Sequence, residues 1–287
     1  MKISVITIVF NDVSNISSTL DSVIEQSYKN IEYIIIDGNS IDGTNELIQK
    51  KIKENSIPLN QSNPSSTLYL EYKREEKEKK IHFKYLSQKD NGIYDAMNKG
   101  INLVSGKWCN FMNCGDRFYS KTCIEELFKA YENSNSKAQI IYGDSQILLD
   151  SNHSKILKSR TTKHKYKHHF IHQGAFIDSN LMKEYKYDTS FKIAGDTDFF
   201  TRAYNNGIKF MHFDIVIASF NIEGISSNLS FAMFKEDCKI GFKYNKLFPL
   251  IHTLKYIFWI IPRVAIRNIL PPKIRTKARI FFGKKRF

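Results

Sequence analysis

No acidic residue occurs in the last 49 positions of this 287-residue chain, and that absence is its largest imbalance. Residues 239–287 carry 13 Lys or Arg, whereas residues 1–238 hold 30 basic against 29 acidic side chains. The formal charge of +14 is therefore a property of the tail, and the body is nearly neutral. A basic tail on a neutral body points to anionic lipid or nucleic acid as partner. No run of about 20 apolar residues is present, so no membrane-spanning helix is expected. Cysteine is scarce, at four, and no two form a CxxC pair, which predicts free thiols in a reducing compartment. The apolar start, residues 3–10, is too short for an export signal and meets Asn11-Asp12 without a cleavage-like site. Neither GxGxxG nor GxxxxGK[ST] occurs, so neither a dinucleotide site nor a P-loop is supported.

What is present reads as alternation. Residues 3–10 are rich in β-branched side chains, as a central parallel strand requires. Residues 14–27 place Ile16, Leu20, Val23 and Ile24 at helical spacing, with Ser14 as N-cap. A second buried strand over 31–36 ends at Asp37-Gly38-Asn39-Ser40, and Asp42-Gly43-Thr44 opens a helix carrying Leu47, Ile48 and Ile52. This β-α-β-α order predicts an α/β fold with a doubly wound, mostly parallel sheet. Residues 54–80 depart from it. Asn, Ser and Pro dominate 55–66 and a mixed charge run fills 73–80, which reads as an insertion with one solvated helix. Further strands are expected at 81–87, 108–112, 139–149, 170–177 and 208–220. Helices are expected through Ile101 and Val104, at about 121–132, at 181–185 and at 197–205. The basic, polar stretch 150–168 reads as mobile.

Four carboxylates fall at strand ends or helix starts: Asp37, Asp90, Asp116 and Asp196. Like charges repel, so such a cluster needs a reason. A divalent cation supplies one, and so does a ligand rich in NH and OH donors, such as a base, ribose or sugar. Ligands of open α/β sheets bind at the carboxyl ends of the strands. Asp116 stands there behind Gly115, placed to hold a hard cation that in turn holds phosphate. Each residue alone has a plainer reading: Asp116 and Asp196 as helix N-caps, Asp37 as a turn residue, His172 as a satisfied core histidine. His168, His169 and His172 do not predict zinc, because strand alternation puts His169 on the other face and no Cys lies near. Cys114 reads as a small filler.

As an ordered set, several segments resemble the family 2 glycosyltransferases of the bacterial polysaccharide type. They are Val5-Ile6-Thr7-Ile8-Val9-Phe10-Asn11, Ile36-Asp37-Gly38-Asn39-Ser40-Ile41-Asp42-Gly43-Thr44, Asp90-Asn91-Gly92-Ile93-Tyr94-Asp95-Ala96-Met97-Asn98-Lys99-Gly100, Asn113-Cys114-Gly115-Asp116, His172-Gln173, and Ala194-Gly195-Asp196-Thr197-Asp198-Phe199-Phe200-Thr201-Arg202. The resemblance covers roughly residues 1–225. It implies the GT-A fold, a Rossmann-like, mostly parallel sheet with helices on both faces. It also implies inverting transfer of a sugar from a nucleotide sugar, usually a UDP-sugar, assisted by Mn2+ or Mg2+. By the same resemblance Asp37 meets the base edge, Thr7 and Phe10 pack along the nucleotide, and Asn39, Asn113 and Gly115 join that side. Asp90 is a second nucleoside-side carboxylate, and Lys99 is a basic residue near the nucleotide. Asp116 is the metal ligand, the last acid of the DXD motif. Asp196 is the catalytic base, Asp198 and Arg202 support its loop, and His172 stands on the acceptor side. Where the family often has two or three acids, this chain has Asn113, Gly115 and one Asp116. One anionic ligand suffices when diphosphate oxygens and waters complete the shell.

Residues 226–287 are expected to form a basic helical extension. Leu250, Ile251, Leu254, Ile257, Phe258, Ile261 and Ala265 fall near helical spacing, with Lys255, Arg263 and Arg267 between them. Tyr256 and Trp259 suit a headgroup boundary, so the stretch reads as an interfacial segment drawn to anionic lipid and broken by Pro262, Pro271 and Pro272. The expectation is a cytoplasmic, peripheral enzyme on the inner membrane face that extends a surface polysaccharide or lipid-linked oligosaccharide. Two other classes fit less well. A sugar-phosphate nucleotidyltransferase would bring a Gly-rich, Arg- and Lys-bearing first loop, absent after Phe10. A basic RNA-binding protein would explain the tail but not the acidic strand ends, since phosphate contacts need cations, so no nucleic-acid partner is expected.

Overall fold

Every side chain of β1 (Ile3–Val9) is buried, a state that requires cover on both faces of a sheet. The computed structural model describes residues 1–62, 67–149, 153–160, 163–221 and 230–269, the side chains of 266–268 excepted. After β1 the chain runs α1 (Val13–Ile24), β2 (Asn30–Asp37), α2 (Thr44–Lys53), β3 (Ile57–Ser62), β4 (Leu68–Glu76), β5 (Lys79–Ser87), α3 (Ile93–Leu103), β6 (Trp108–Phe111), β7 (Arg117–Phe118) and α4 (Cys123–Asn133). It continues with β8 (Ile140–Leu148), β9 (Ser154–Leu157), a 3-10 turn at His172–Gly174, β10 (Ala175–Asp178), α5 (Ser179–Tyr185), α6 (Gly195–Asn205) and β11 (Phe210–Asn221). Three helices follow, α7 (Phe231–Tyr244), α8 (Phe248–Lys255) and α9 (Ile261–Ile269), the last two joined through a π-helical turn at Tyr256–Ile260.

The strands form one sheet in the order β3-β4-β5-β2-β1-β6-β10-β8-β11-β7, with β9 added on β8. β5, β2, β1 and β6 are mutually parallel. β10 runs against β6 and β8, and β11 returns parallel to β8. The winding reverses at β1, with β2 and β5 on one side and β6 on the other. The carboxyl ends of four strands therefore open at a topological switch point.

Strand parity sorts the core into two layers. Ile3, Val5, Val9, Tyr33 and Ile35 face α1, α2 and α4 through Ile16, Leu20, Ile48, Leu127 and Phe128. Ile6, Ile8, Ile34 and Ile36 face α3 and α6 through Met97, Ile101, Phe199 and Phe200. Truncating one such fully buried Ile to Ala would cost about 2–5 kcal/mol.

Three expectations need correcting. The described residues of 54–80 hold no helix; they supply β3 and β4, which extend the sheet past β5. The charge run hid a period of two, in which Leu70 and Tyr72 are buried while Glu71 meets His82 across the strands at 2.6 Å. Within 150–168, β9 pairs with β8, and His164 and His168 are buried among the rings of Phe170, Phe200 and Phe210; residues 150–152 and 161–162 lie outside the described part. Pro262 does not end the C-terminal helix. Its missing N–H and its ring disturb the ladder toward residue 258, and the turn before it widens to π form. Pro271 and Pro272 lie outside the described residues.

Candidate functional site

Asp37 ends β2 fully buried. Its carboxylate accepts the Ser40 N–H and hydroxyl, the Ser87 hydroxyl at 2.7 Å and the Tyr85 hydroxyl at 3.3 Å. Asp90 follows β5. Its Oδ1 accepts the Gly92 N–H at 2.9 Å, and its Oδ2 lies so close to Gly38 that a Cβ there would come within 2.7 Å. The same absent Cβ would stand 3.0 Å from the Phe10 ring, which is itself mostly exposed. Glycine at position 38 thus lets the ends of β1, β2 and β5 meet around one opening. Asn39 stands exposed beside it with φ +71°.

Contacts lead from Asp37 across the switch point. Ser40, which donates to Asp37, accepts the Asn11 N–H at 2.8 Å. The neighbouring Asp12 Oδ2 accepts the Cys114 thiol at 3.4 Å. Cys114 belongs to the turn that delivers Asp116, closed by the Asp116 N–H on the Asn113 carbonyl at 3.0 Å and by Gly115 at φ +90°. The helix after this turn starts at Cys123 behind Thr122, so Asp116 is not its cap. Asp116 Oδ2 instead accepts Gln173 Nε2 at 2.6 Å. Burial pushes this carboxyl up to about 7, against the pull of that hydrogen bond.

Gln173 and its neighbour His172 join the two halves of the chemistry. Both sit on the 3-10 turn before β10, and Asn110 of β6 holds that turn by donating to the Gln173 and Ala175 carbonyls at 2.8 Å each. Gln173 touches Asp116, while the electrostatics of His172 are coupled to Asp196. Adjacent Cα atoms are about 3.8 Å apart, so this step links the surroundings of Asp116 and Asp196, which 80 residues separate in the chain. Burial pushes His172 down to about 4, leaving a neutral imidazole whose Nε2 meets the Tyr187 hydroxyl at 2.8 Å. His168 Nε2 lies 3.8 Å from Asp196 Oδ2, and burial holds it neutral as well.

Asp196 lies in the first turn of α6, whose cap position is Ala194. Its Oδ1 accepts the Thr197 N–H at 2.7 Å, and burial raises its carboxyl above the usual carboxylate range, opposed by His172. The Tyr94 ring fits over Gly195, where a Cβ would come within 2.7 Å, and the Tyr94 hydroxyl donates to the Ile193 carbonyl at 2.8 Å. Tyr94 lies in the first turn of the helix that follows Asp90, so this helix meets the start of α6, with the Asp196 N–H 3.4 Å from the Tyr94 hydroxyl. Asp198 is buried and accepts Arg202 Nε and Lys243 Nζ, each at 2.7 Å. Arg202 continues to the Tyr185 and Lys186 carbonyls at 3.1 and 2.7 Å, which fixes α6 against the end of α5.

Two residues expected beside the nucleotide are engaged within the protein instead. Thr7 is fully buried within β1, and its hydroxyl donates to the Met112 carbonyl at 2.7 Å and meets the Tyr33 hydroxyl at 2.9 Å. Its parity, shared with Val5 and Val9, directs it into a helix layer. Lys99 donates to the Lys89 carbonyl at 2.7 Å and pairs with Asp95 at 3.5 Å, so its amine holds the loop around Asp90. Conversely, Gln173 and Tyr94 were named only within motifs, and the structure gives them direct contacts to the key acids.

The donor set on the 113–116 turn suits a hard cation. Asp116 Oδ1 carries no protein hydrogen bond among the described residues, and Asn113 Oδ1 is buried without a partner there. Both are oxygens, and the nearby thiol is directed at Asp12. No group of three or more His, Cys, Asp or Glu is assembled among the described residues, so a cation here would need further oxygens from its ligand.

Comparison with known proteins agrees with this geometry. The Glycosyl transferase family 2 profile matches residues 4–188. A PGL/p-HBAD biosynthesis glycosyltransferase of Mycobacterium bovis is 25% identical over 229 residues, 78% of each chain. An uncharacterized glycosyltransferase of Mycobacterium tuberculosis is 30% identical over 205 residues, 70% of this chain and 68% of that one. Among solved structures, S. aureus TarS 1-349 in complex with UDP-GlcNAc superposes with a TM-score of 0.61 at 15% identity, covering 89% of this chain and 75% of that one. This chain spans 38% of the longer TarS chain. The mannosyltransferase PcManGT of Pyrobaculum calidifontis, in complex with GDP-Man and Mn2+, gives 0.56 at 11% identity over 99% and 88% of the two chains. The fold is thus that of the GT-A glycosyltransferases, and the chain belongs to glycosyl transferase family 2.

Proposed function

We propose that this enzyme moves a sugar from a nucleotide sugar, a UDP-sugar in the first instance, to a hydroxyl of a surface polysaccharide or lipid-linked oligosaccharide, with inversion at the anomeric carbon. The observation that carries the reading is the His172-Gln173 step. It links Asp116, through Gln173, to the neighbourhood of Asp196, through His172, and burial raises both carboxyls. The nucleotide complexes of TarS and PcManGT support the donor class by analogy of fold.

In this reading Phe10, Gly38, Asn39 and Asp90 receive the nucleoside, and Asp37 keeps their loops in place. Asp116 and Asn113 hold a divalent cation, Mn2+ or Mg2+, with Gly115 keeping the approach to the turn open. The cation supplies Lewis-acid stabilisation of the charge gathered on the leaving diphosphate. Asp196 accepts the proton of the attacking hydroxyl, and its raised pKa makes it a stronger base than an exposed carboxylate. His172, neutral and anchored by Tyr187, borders the acceptor. Asp198 and Arg202 keep the first turn of α6 rigid.

The C-terminal helices present an apolar surface. Leu250, Ile251, Leu254, Ile257, Phe258, Trp259 and Ile261 are all exposed along α8 and α9, Phe258 at 73% and Trp259 at 65%. No helix among the described residues is long and apolar enough to cross a membrane. A basic helix with exposed Trp and Phe fits an anionic bilayer surface, and a lipid-borne acceptor gives it a use. In this reading the enzyme works on the cytoplasmic face of the cell membrane as a peripheral protein.

A thermal-shift panel of UDP- and GDP-sugars, each with Mn2+ or Mg2+, tests the donor reading. A donor at a hundred times its Kd is expected to stabilise the fold by about 2.7 kcal/mol, and the shift should require the metal. If no nucleotide sugar moves the midpoint under either metal, the reading fails.

A further inference from the structure

The segment that leads to Asp196 owes its shape to another helix. Residues 186–194 join α5 to α6 with no strand or helix of their own. Three successive backbone N–H groups in it point to one carboxylate, that of Glu236 on α7. Glu236 Oε1 accepts Lys192 at 2.8 Å, and Oε2 accepts Ile193 at 3.0 Å and Ala194 at 2.7 Å. Hydrogen bonds to an ionised acceptor are roughly twice as strong as neutral ones. The same stripe of α7 grips the segment before and after this point. Lys239 Nζ donates to Ser190 at 2.9 Å and lies 4.3 Å from the centre of the Phe191 ring. Lys243 Nζ donates to buried Asp198 at 2.7 Å. Glu236, Lys239 and Lys243 follow the i, i+3, i+7 spacing of one helix face, and Ile240 is buried in the core beneath them.

From this we infer that Glu236 is a positioning residue for the reaction: it fixes the backbone of 192–194 and so aims Asp196 at the acceptor hydroxyl. The inference rests on Asp196 as the base. Among the described residues no hydrogen bond joins Glu236 to Asp196, and α7 lies beyond the residues matched by the family profile. Its action therefore runs through the backbone. α7 also carries the surface-seeking helices, because the Phe248 ring packs on Gly241 so tightly that a Cβ there would come within 2.0 Å. The base loop and the apolar surface thus share one support.

Amide hydrogen exchange on the full chain reads the clamp directly. Glu236→Gln and Glu236→Ala are expected to lose protection at Ile193 and Ala194 while the amides of β1 and β6 keep theirs. Unchanged exchange at both positions overturns the proposal. Turnover is read as nucleoside diphosphate released to water from a mixture of UDP-glucose, UDP-galactose, UDP-N-acetylglucosamine and GDP-mannose with Mn2+. Glu236→Ala is expected to lower the maximal rate about a hundredfold, as a base misplaced by an ångström does, and to leave the half-saturating donor concentration within about twofold. In an Asp196→Asn background the same change should add nothing, because both substitutions disable one group. A further fall in that background, or a loss expressed mainly in donor saturation, refutes the positioning role. An undiminished rate in Asp196→Asn alone refutes the base assignment instead.

Discussion

The two sides of the proposed site treat their carboxylates in opposite ways. On the β2 and β5 side, Asp37 is filled: Ser40, Ser87 and Tyr85 occupy its oxygens, and the result is a braced loop. Across the β1 and β6 boundary, Asp116 takes one side-chain donor and Asp196 one backbone N–H from its own neighbour, and burial lifts both. A carboxylate with its lone pairs engaged fixes shape. One that is buried with spare capacity gains most when a cation or a hydroxyl arrives, which is the division expected between recognition and chemistry.

Neutralising the reactive side should have the largest effect. Asp196→Asn keeps the volume and removes the base, so transfer should fall by about 10²–10⁴. UDP binding with Mn2+, measured by calorimetry, should stay unchanged. A variant that lost UDP binding along with transfer would merge the two sides and end the comparison. Asp116→Asn is the next step down. Mn2+-dependent UDP binding should weaken by about a hundredfold, the upper range for disturbed metal sites. The metal-free protein should respond in the opposite sense. The Asp116 pKa is raised in the folded state from 3.8 to about 7, so the native form holds the extra proton and stability falls as pH rises through that window. Removing the charge should therefore raise the melting temperature at pH 8, by about 2–6 °C after allowance for solvent screening, and change nothing at pH 4.

The recognition side was the more legible in the sequence. The fully buried parallel strand β2 reads as a run of Ile that ends in Asp37, and Asp90 stands shortly after the alternating strand β5. Parity could have assigned Thr7 to a helix layer, since it shares the phase of Val5 and Val9, and the Asp95/Lys99 spacing is that of a helical ion pair. On the other side, β4 was masked by its charges, although Leu70 and Tyr72 keep the alternation. The His172-Gln173 bridge depends on a 3-10 turn where a strand was expected. Glu236 gave no local signal, because its three partners lie more than 40 residues away and are backbone groups.

The helices beyond β11 extend the reactive side toward a surface. Replacing Phe258 and Trp259 together by Glu should reduce binding to vesicles containing anionic phospholipid by about tenfold or more, since two interfacial anchors become charges of the repelled sign. Release of nucleoside diphosphate to water should be unaffected. Vesicle binding that persists in this variant would leave the exposed face of α8 and α9 without its assigned use.

Ser87→Ala should give the smallest effect and the finest test of the division. Ser87 closes β5 and donates to Asp37 at 2.7 Å. Its loss removes one of the donors that fill this carboxylate, worth about 1 kcal/mol, or roughly fivefold in an equilibrium constant. Because Asp37 braces the loop around Gly38 and Asp90, the whole of that loss should fall on donor affinity. The maximal rate at saturating donor should not change, since Asp116, Gln173 and Asp196 are held by β6, the 3-10 turn and α6. If Ser87→Ala instead lowered the maximal rate with donor affinity intact, the braced acid would be acting in the chemistry, and the contrast between the two sides would collapse.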